Sequence, residues 1–134
     1  MIIVGDKITK ISAQRSDKGG IGKIESKPEI MSVKTKDLFA AGEKKLGLSI
    51  EYGYNTSYSK DTNIQLEGSL FITGDEKKLK EVEKNFKKNK KLDDNVAVPV
   101  LRKIFELGMT NSVLISKTLG LPAPIQLPKV VSKE

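Results

Sequence analysis

Acid–base and nucleophilic chemistry in this chain is limited to Lys, Tyr, Ser, Thr, Asp and Glu, because none of its 134 residues is Cys, His or Trp. Thiolate nucleophiles, disulfides, Cys/His zinc sites and imidazole-based triads are therefore all excluded. Four local patterns remain to be tested. Gly19-Gly20-Ile21-Gly22-Lys23 lacks the spacing of a Walker A loop and contains no Gly-x-Gly-x-x-Gly. It does fit Gly-x-x-Gly, an RNA clamp that joins two helices, but here the surrounding pattern is of strands, so it reads as a strand crossover. Asn55-Thr56-Ser57 matches a glycosylation sequon and reads as a turn. Asp93-Asp94 is a carboxylate pair beside a helix start, where capping accounts for it. The fourth pattern is a lysine run, Lys77, Lys78, Lys80, Lys84, Lys87, Lys88, Lys90 and Lys91. Nothing here assembles a catalytic constellation, and the expectation is a protein that is not an enzyme and carries no cofactor or metal.

The lysine run dominates the charge. The chain holds 24 basic and 17 acidic residues, a net of +7. Residues 1–75 carry 11 basic and 10 acidic side chains, whereas residues 76–134 carry 13 and 7. Only Arg15 and Arg102 are arginines. Base-edge and phosphate recognition favours the bidentate guanidinium fork, so a surface of lysines reads first as a solvated face. Its functional alternative is a basic nucleic-acid- or ribosome-associated module using the Lys77–Lys91 helix.

The elements that carry these residues follow from hydrophobic period. Leu46, Leu48, Ile50, Tyr52 and Tyr54 alternate with small or polar residues, as do Ile64, Leu66, Gly68, Leu70 and Ile72. Two such runs separated by the polar Asn55–Thr62 segment predict an antiparallel hairpin with one wet face. Ile8, Ile11 and Ala13 predict a bulged strand, and Ile30–Leu38 another after Pro28; the connections fall at 17–22 and 40–45. After Gly74, Asp75 as N-cap and the spacing of Leu79, Val82 and Phe86 predict a short helix, broken over 87–94. Asn95 then serves as the predicted cap of a longer helix on Val96, Ala97, Val100, Leu101, Ile104, Phe105 and Gly108, running through Lys117. Gly120 and Pro122 end it, and three prolines in 122–128 require an extended tail. The prediction is an α+β fold: a single domain over 1–134, with a four-stranded antiparallel sheet over about 2–74, two C-terminal helices over about 76–119 packed on one side, and a tail over 120–134. The Met1–Asp6 start is too short an apolar run for a signal peptide and no stretch reaches transmembrane length, so the expected compartment is the cytoplasm with no membrane insertion.

Tyr52, Tyr54 and Tyr58 lie on or near one strand, Phe71 falls on the otherwise polar register of its partner, and Leu119, Leu121, Pro122, Ile125 and Leu127 add apolar residues beyond the helices. That surplus is either an oligomer interface or a groove for apolar ligands.

The element order and several motifs resemble the SecB-like family of export chaperones. The resemblance spans about 8–130. Its carriers are the opening strand Ile8-Thr9-Lys10-Ile11, the strand start Pro28-Glu29-Ile30, the stretch Leu66-Glu67-Gly68-Ser69-Leu70-Phe71-Ile72, the helix opening Pro99-Val100-Leu101-Arg102-Lys103-Ile104, and the segment Leu121-Pro122-Ala123-Pro124-Ile125-Gln126-Leu127-Pro128-Lys129-Val130. The resemblance implies an ATP-independent holdase that binds unfolded or preprotein polypeptides in protein export. It also implies a homotetramer built as a dimer of dimers, with apolar grooves between sheet and long helix. By position, Tyr52, Tyr54, Phe71, Leu101, Phe105, Leu119 and Leu121 are the groove candidates. Two departures argue against docking on the translocase motor SecA: familiar members are strongly acidic whereas this chain is +7, and the sequence stops four residues past Val130. A third reading is a structural subunit whose apolar surface is permanently filled by a partner.

Overall fold

A computed structural model describes residues 1–17, 20–40 and 42–125. Four strands, β1 (Ile2–Gln14), β2 (Glu25–Ala40), β3 (Glu43–Ser59) and β4 (Thr62–Thr73), precede two helices, α1 (Glu76–Asn89) and α2 (Asp94–Leu119). The sheet order is β1-β4-β3-β2 with every pairing antiparallel. Strands β2, β3 and β4 form a meander, and the crossover after β1 carries the chain across to the far edge. The fold is α+β, with both helices following the sheet and packing on one of its faces.

The strands are longer than their hydrophobic periods indicated, and for a reason. The Asn55–Thr62 segment, expected as a loop, continues β3 to Ser59, and only Lys60-Asp61 turns. Its polar residues belong to the period: Thr56 and Tyr58 point to the helix side and are buried, while Asn55 and Ser57 face away. Thr56 satisfies its hydroxyl with that of Ser26 at 2.9 Å, so a polar side chain sits in the core register at no desolvation penalty. The 40–45 connection is shorter than expected, since β2 runs to Ala40 and β3 begins at Glu43, and Gly42 before it stands at φ +78°, a conformation that favours glycine. Pro28 lies inside β2 opposite Tyr54 and is tolerated because β2 is an edge strand. Strand β1 is interrupted at Ile3/Gly5 and Ile8/Lys10. The second irregularity puts both Ile8 and Ile11 opposite helix-side residues although they are three apart. The expected extended tail lies mostly outside the described residues, as do Lys18 and Gly19 of the crossover; Leu121–Ile125 is non-helical.

The core lies between the helix side of the sheet and one stripe from each helix. Leu48, Ile50, Tyr52, Tyr54, Leu66, Leu70 and Ile72 meet Leu79, Val82 and Phe86 of α1 and Val96, Val100 and Ile104 of α2. Helix α1 runs to Asn89, further than the break expected from 87, and Lys90 ends it in the left-handed conformation at φ 58°. Asp75 precedes it, but only the Asp75 backbone carbonyl takes part, accepting from Leu79 N–H at 3.0 Å. Asp93, not Asn95, caps α2: its carbonyl accepts from the Val96 and Ala97 amides at 2.9 and 2.8 Å. Gly120 ends α2 at φ +68°, as expected of a C-terminal glycine.

Towards its C-terminal half α2 turns a small-residue stripe to the sheet, with Gly108, Ser112 and Ser116 all buried. The side chain opposite is Tyr54. A Cβ built at Gly108 falls 2.4 Å from Tyr54 Cγ, so the ring rests directly on the helix backbone. In an open helix, Gly to Ala gains about 1 kcal/mol. Here the overlap reverses the sign, and Gly108→Ala is expected to lose about 1–3 kcal/mol net. Denaturant unfolding checks this, and a stabilised variant would show that α2 can lift off Tyr54 without penalty.

Candidate functional site

The seven groove candidates do not converge on one surface. Tyr52 and Tyr54 are 1% and 2% exposed, and Leu121 is 7% exposed, so all three belong to the interior of this chain. Period-two alternation marks which side of a strand an aromatic takes, but it cannot say whether a helix covers that side. Tyr54 is clamped between Gly108 and Phe105, whose ring meets it edge-on at 5.8 Å and 82°. Tyr52 lies across the backbone of β4 at Gly68, where an added Cβ would come 2.6 Å from the phenol oxygen. Leu121 packs with Tyr58 and Ile64 in a second small core that Ile24, Ile115 and Leu119 flank. Leu101, Phe105 and Leu119 are half-buried on α2, leaving Phe71 as the one candidate on the opposite face of the sheet.

Around Phe71 the sheet forms an open cleft of about 370 Å³, lined by Val4, Gly5, Lys36, Asp37, Leu38, Phe39 and Phe71. Three features build it. Gly47 of β3 leaves room for Leu38, since a Cβ there would sit 2.1 Å from a Leu38 methyl carbon. Gly5 faces the Phe71 ring with no side chain of its own, an added Cβ lying 3.7 Å away. The irregularity between Ile3 and Gly5 falls at Val4, whose side chain joins the cleft. Phe39 projects at its rim with 82% of its surface exposed, and the Lys7 ammonium stands 5.9 Å from the centre of the Phe71 ring. The sequence reading missed Val4, Leu38 and Phe39. The available signal was Leu38-Phe39 as adjacent apolar residues at a strand end, where alternation turns Leu38 to the Phe71 side of the sheet and Phe39 to the other, so that Phe39 meets the cleft only at its rim.

The two sheet edges differ. On β2 the outward Thr35 N–H donates to the carboxylate of Glu83 from α1, and the Thr35 hydroxyl donates to the same group at 3.2 Å. That edge is partly occupied by a charged helix side chain. Neither helix packs along β1, and its helix-side residues Ile8 and Ile11 remain half-buried and 56% exposed respectively. Where β1 ends, the Arg15 guanidinium donates to the Leu119 and Gly120 carbonyls at 2.8 and 3.0 Å. Those are orphan acceptors of a helix C-terminus, where a cation is also favoured by the dipole. The Tyr58 hydroxyl donates to the Pro122 carbonyl at 2.7 Å, and Gly22 N–H donates to the Tyr58 carbonyl at 2.8 Å. Strand end, crossover and helix end are thereby tied together around Tyr58.

Among the described residues no cluster of three metal-ligating side chains occurs, and no helix is long and apolar enough to cross a membrane. No model of a known protein family, no curated protein and no solved structure matches this chain, so its surfaces are read from their own residues.

Two tyrosines titrate abnormally. Burial raises Tyr52 above the ordinary phenol value of 10.0, with the charge of Asp6 adding to it. Burial also raises Tyr58, partly offset by the Ser116 hydroxyl. The Tyr52 hydroxyl has no hydrogen-bond partner. A raised phenol holds its proton in the folded state at a pH where the unfolded chain has released it. This stabilising contribution is full below pH 10 and is lost as pH climbs through the folded value. Tyr52→Phe removes an unpaired buried polar atom, so stability at neutral pH should stay level or rise by up to about 1 kcal/mol. The decline above pH 10 should shrink as well. Thermal melts from pH 7 to 11 check both effects, and a marked loss at pH 7 would mean that the hydroxyl is satisfied in solution.

Proposed function

We propose that this protein is an ATP-independent holdase chaperone, which captures unfolded polypeptides on exposed apolar surface and works as a homo-oligomer in the cytoplasm. The observation that carries the reading is the Phe71 cleft. It is a hollow of mixed character on the open face of a sheet, where Val4, Leu38 and Phe71 supply apolar surface beside the charged Lys36 and Asp37, and its residues can bind but offer no nucleophile–base pair. Such a surface suits a chain segment with an apolar side chain to insert and a backbone that needs partners. It imposes no sequence code, since a shallow hollow between Val4, Leu38, Phe39 and Phe71 accepts any large apolar side chain. The resemblance to SecB-like chaperones supports the same reading through element order and the Pro-rich segment after the long helix. The exposed α2 residue Val98, with Leu101 and Phe105 on its flank, offers a surface for association between copies into a dimer of dimers. Relative to that family, the basic charge argues against handing clients to SecA.

Light scattering from a chemically unfolded, aggregation-prone protein tests the reading. Suppression by this chain should persist at high salt, because apolar capture survives screening whereas phosphate binding falls steeply. Phe39→Glu combined with Phe71→Glu should raise the amount of chaperone needed by about tenfold, in line with the loss of one buried aromatic anchor. Phe39 is already exposed and Phe71 lies outside the main core, so the circular dichroism of the double variant should match the parent. Absence of suppression at either salt concentration would overturn the proposal.

A further inference from the structure

The open face of the sheet, opposite the helices, is unevenly furnished. Strand β3 leaves two glycine gaps there, at Gly47 and Gly53, and a neighbouring β2 side chain lies over each. Leu38 occupies the first, and the Met31 sulfur stands 3.6 Å from where a Gly53 Cβ would be. Met31 is the residue at which β2 slips register between Ile30 and Ser32, and it remains 48% exposed. Charge is segregated along the same face. Glu29 and Glu67 flank Gly53 in its own cross-strand row, and Glu51 stands in the next row. Further towards the Phe71 cleft the sign on β2 reverses, with Lys34 opposite Ser49 and Lys36 opposite Gly47. The lysines that share the carboxylate rows, Lys10 opposite Glu67 and Lys7 opposite Ser69, are both on β1. Among the described residues none of the three glutamates, nor Lys34 or Lys36, is in an ion pair.

This pattern fits a copy of itself. Two such faces laid together and turned end for end, about an axis that crosses the strands between the Glu51 and Ser49 rows, put β2 over β2 and β3 over β3. Row for row, Glu29 of each copy then faces Lys36 of the other. Glu51 faces Ser49, Phe71 faces Ser69 and Lys7 faces Gly5, so each large side chain lies over a small one. The two glycine gaps meet, which brings Met31 against Leu38. No two like charges stand directly opposite. With rows about 6.8 Å apart and strands about 4.8 Å apart, the face from Lys27 to Leu38 measures about 34 by 19 Å. A pair would cover roughly 1,200 Å² in total, the lower end of the range for specific interfaces.

We propose that the open face of the sheet binds the same face of a second copy, turned end for end, in a weak and salt-sensitive dimer that closes the Phe71 cleft. A two-fold interface must be self-complementary, and here charge, side-chain size and the glycine gaps all meet that condition together. A polyanion such as a nucleic acid suits this face less, because its lysines stand beside three carboxylates. The inference stands apart from the chaperone reading. If both hold, client capture competes with the pair, and salt frees the cleft.

Sedimentation equilibrium of the full chain is the test. The parent should self-associate at low salt, with a dissociation constant that rises at least about tenfold at high salt. E29K and K36E each change one exposed side chain, and the two-fold repeats the change twice per pair. Either variant alone should weaken association about tenfold or more, since like charges then face each other. An equimolar mixture of the two should recover association to within about threefold of the parent, because both contacts again join opposite charges. A parent that stays monomeric at low salt overturns the inference. So does an assembly whose mass neither variant changes, which moves the interface to α2. Weakening by both variants with no recovery on mixing also overturns it, since the two residues then do not meet.

Discussion

The contact between the Tyr54 ring and the backbone of α2 at Gly108 is the constraint on which the rest of the arrangement depends. A 26-residue helix can lie this close to a sheet only where one partner gives up its side chains, and α2 does so at Gly108, Ser112 and Ser116. The close approach places Phe105 edge-on to Tyr54 and buries the tyrosine register of β3. It also brings the end of α2 over Tyr58, where Arg15 and the crossover fasten it. The helix thus covers the middle of the sheet and stops short of β1.

Two asymmetries follow from that placement. One edge of the sheet, β2, lies under α1 and is engaged by Glu83, while neither helix runs along the other, β1, although its Ile3 packs against the core. One face of the sheet is packed by the helices except along β1, and the other is largely polar, with Phe71 and its neighbours and Met31 as apolar interruptions. The exposed apolar residues lie in several places: Val4 and Phe39 beside the Phe71 cleft, Ile11 on β1, Met31 further along β2, and Val98 and Leu114 on α2.

Much of the architecture was legible because it is written in periods. The alternation through Leu46–Tyr54 and Ile64–Ile72 placed β3 and β4, and the spacing of Leu79, Val82 and Phe86 placed α1. Where the reading fell short, tertiary context had replaced the local signal. The turn-forming composition of Asn55–Ser59 was overridden by a buried Thr–Ser hydroxyl pair and a buried Tyr58. Asp93 took the capping position at α2 that Asn95 was expected to hold, and it does so through its backbone carbonyl, while its carboxylate accepts from the Asn85 amide of α1 at 3.4 Å.

The sequence by itself determined the fold class, the order of elements, the absence of thiol and imidazole chemistry, and the concentration of positive charge on α1. These are properties of composition and short-range period, and they hold whatever the elements pack against. Which aromatic residues are reachable was decided only by the tertiary structure. Tyr52, Tyr54 and Phe71 look alike as large residues on neighbouring strands, yet the two tyrosines are buried on the helix side, Tyr54 directly beneath α2, and Phe71 lies on the open face. A strand's alternation separates its two sides, but the choice of which side is covered belongs to a helix more than fifty residues further along the chain.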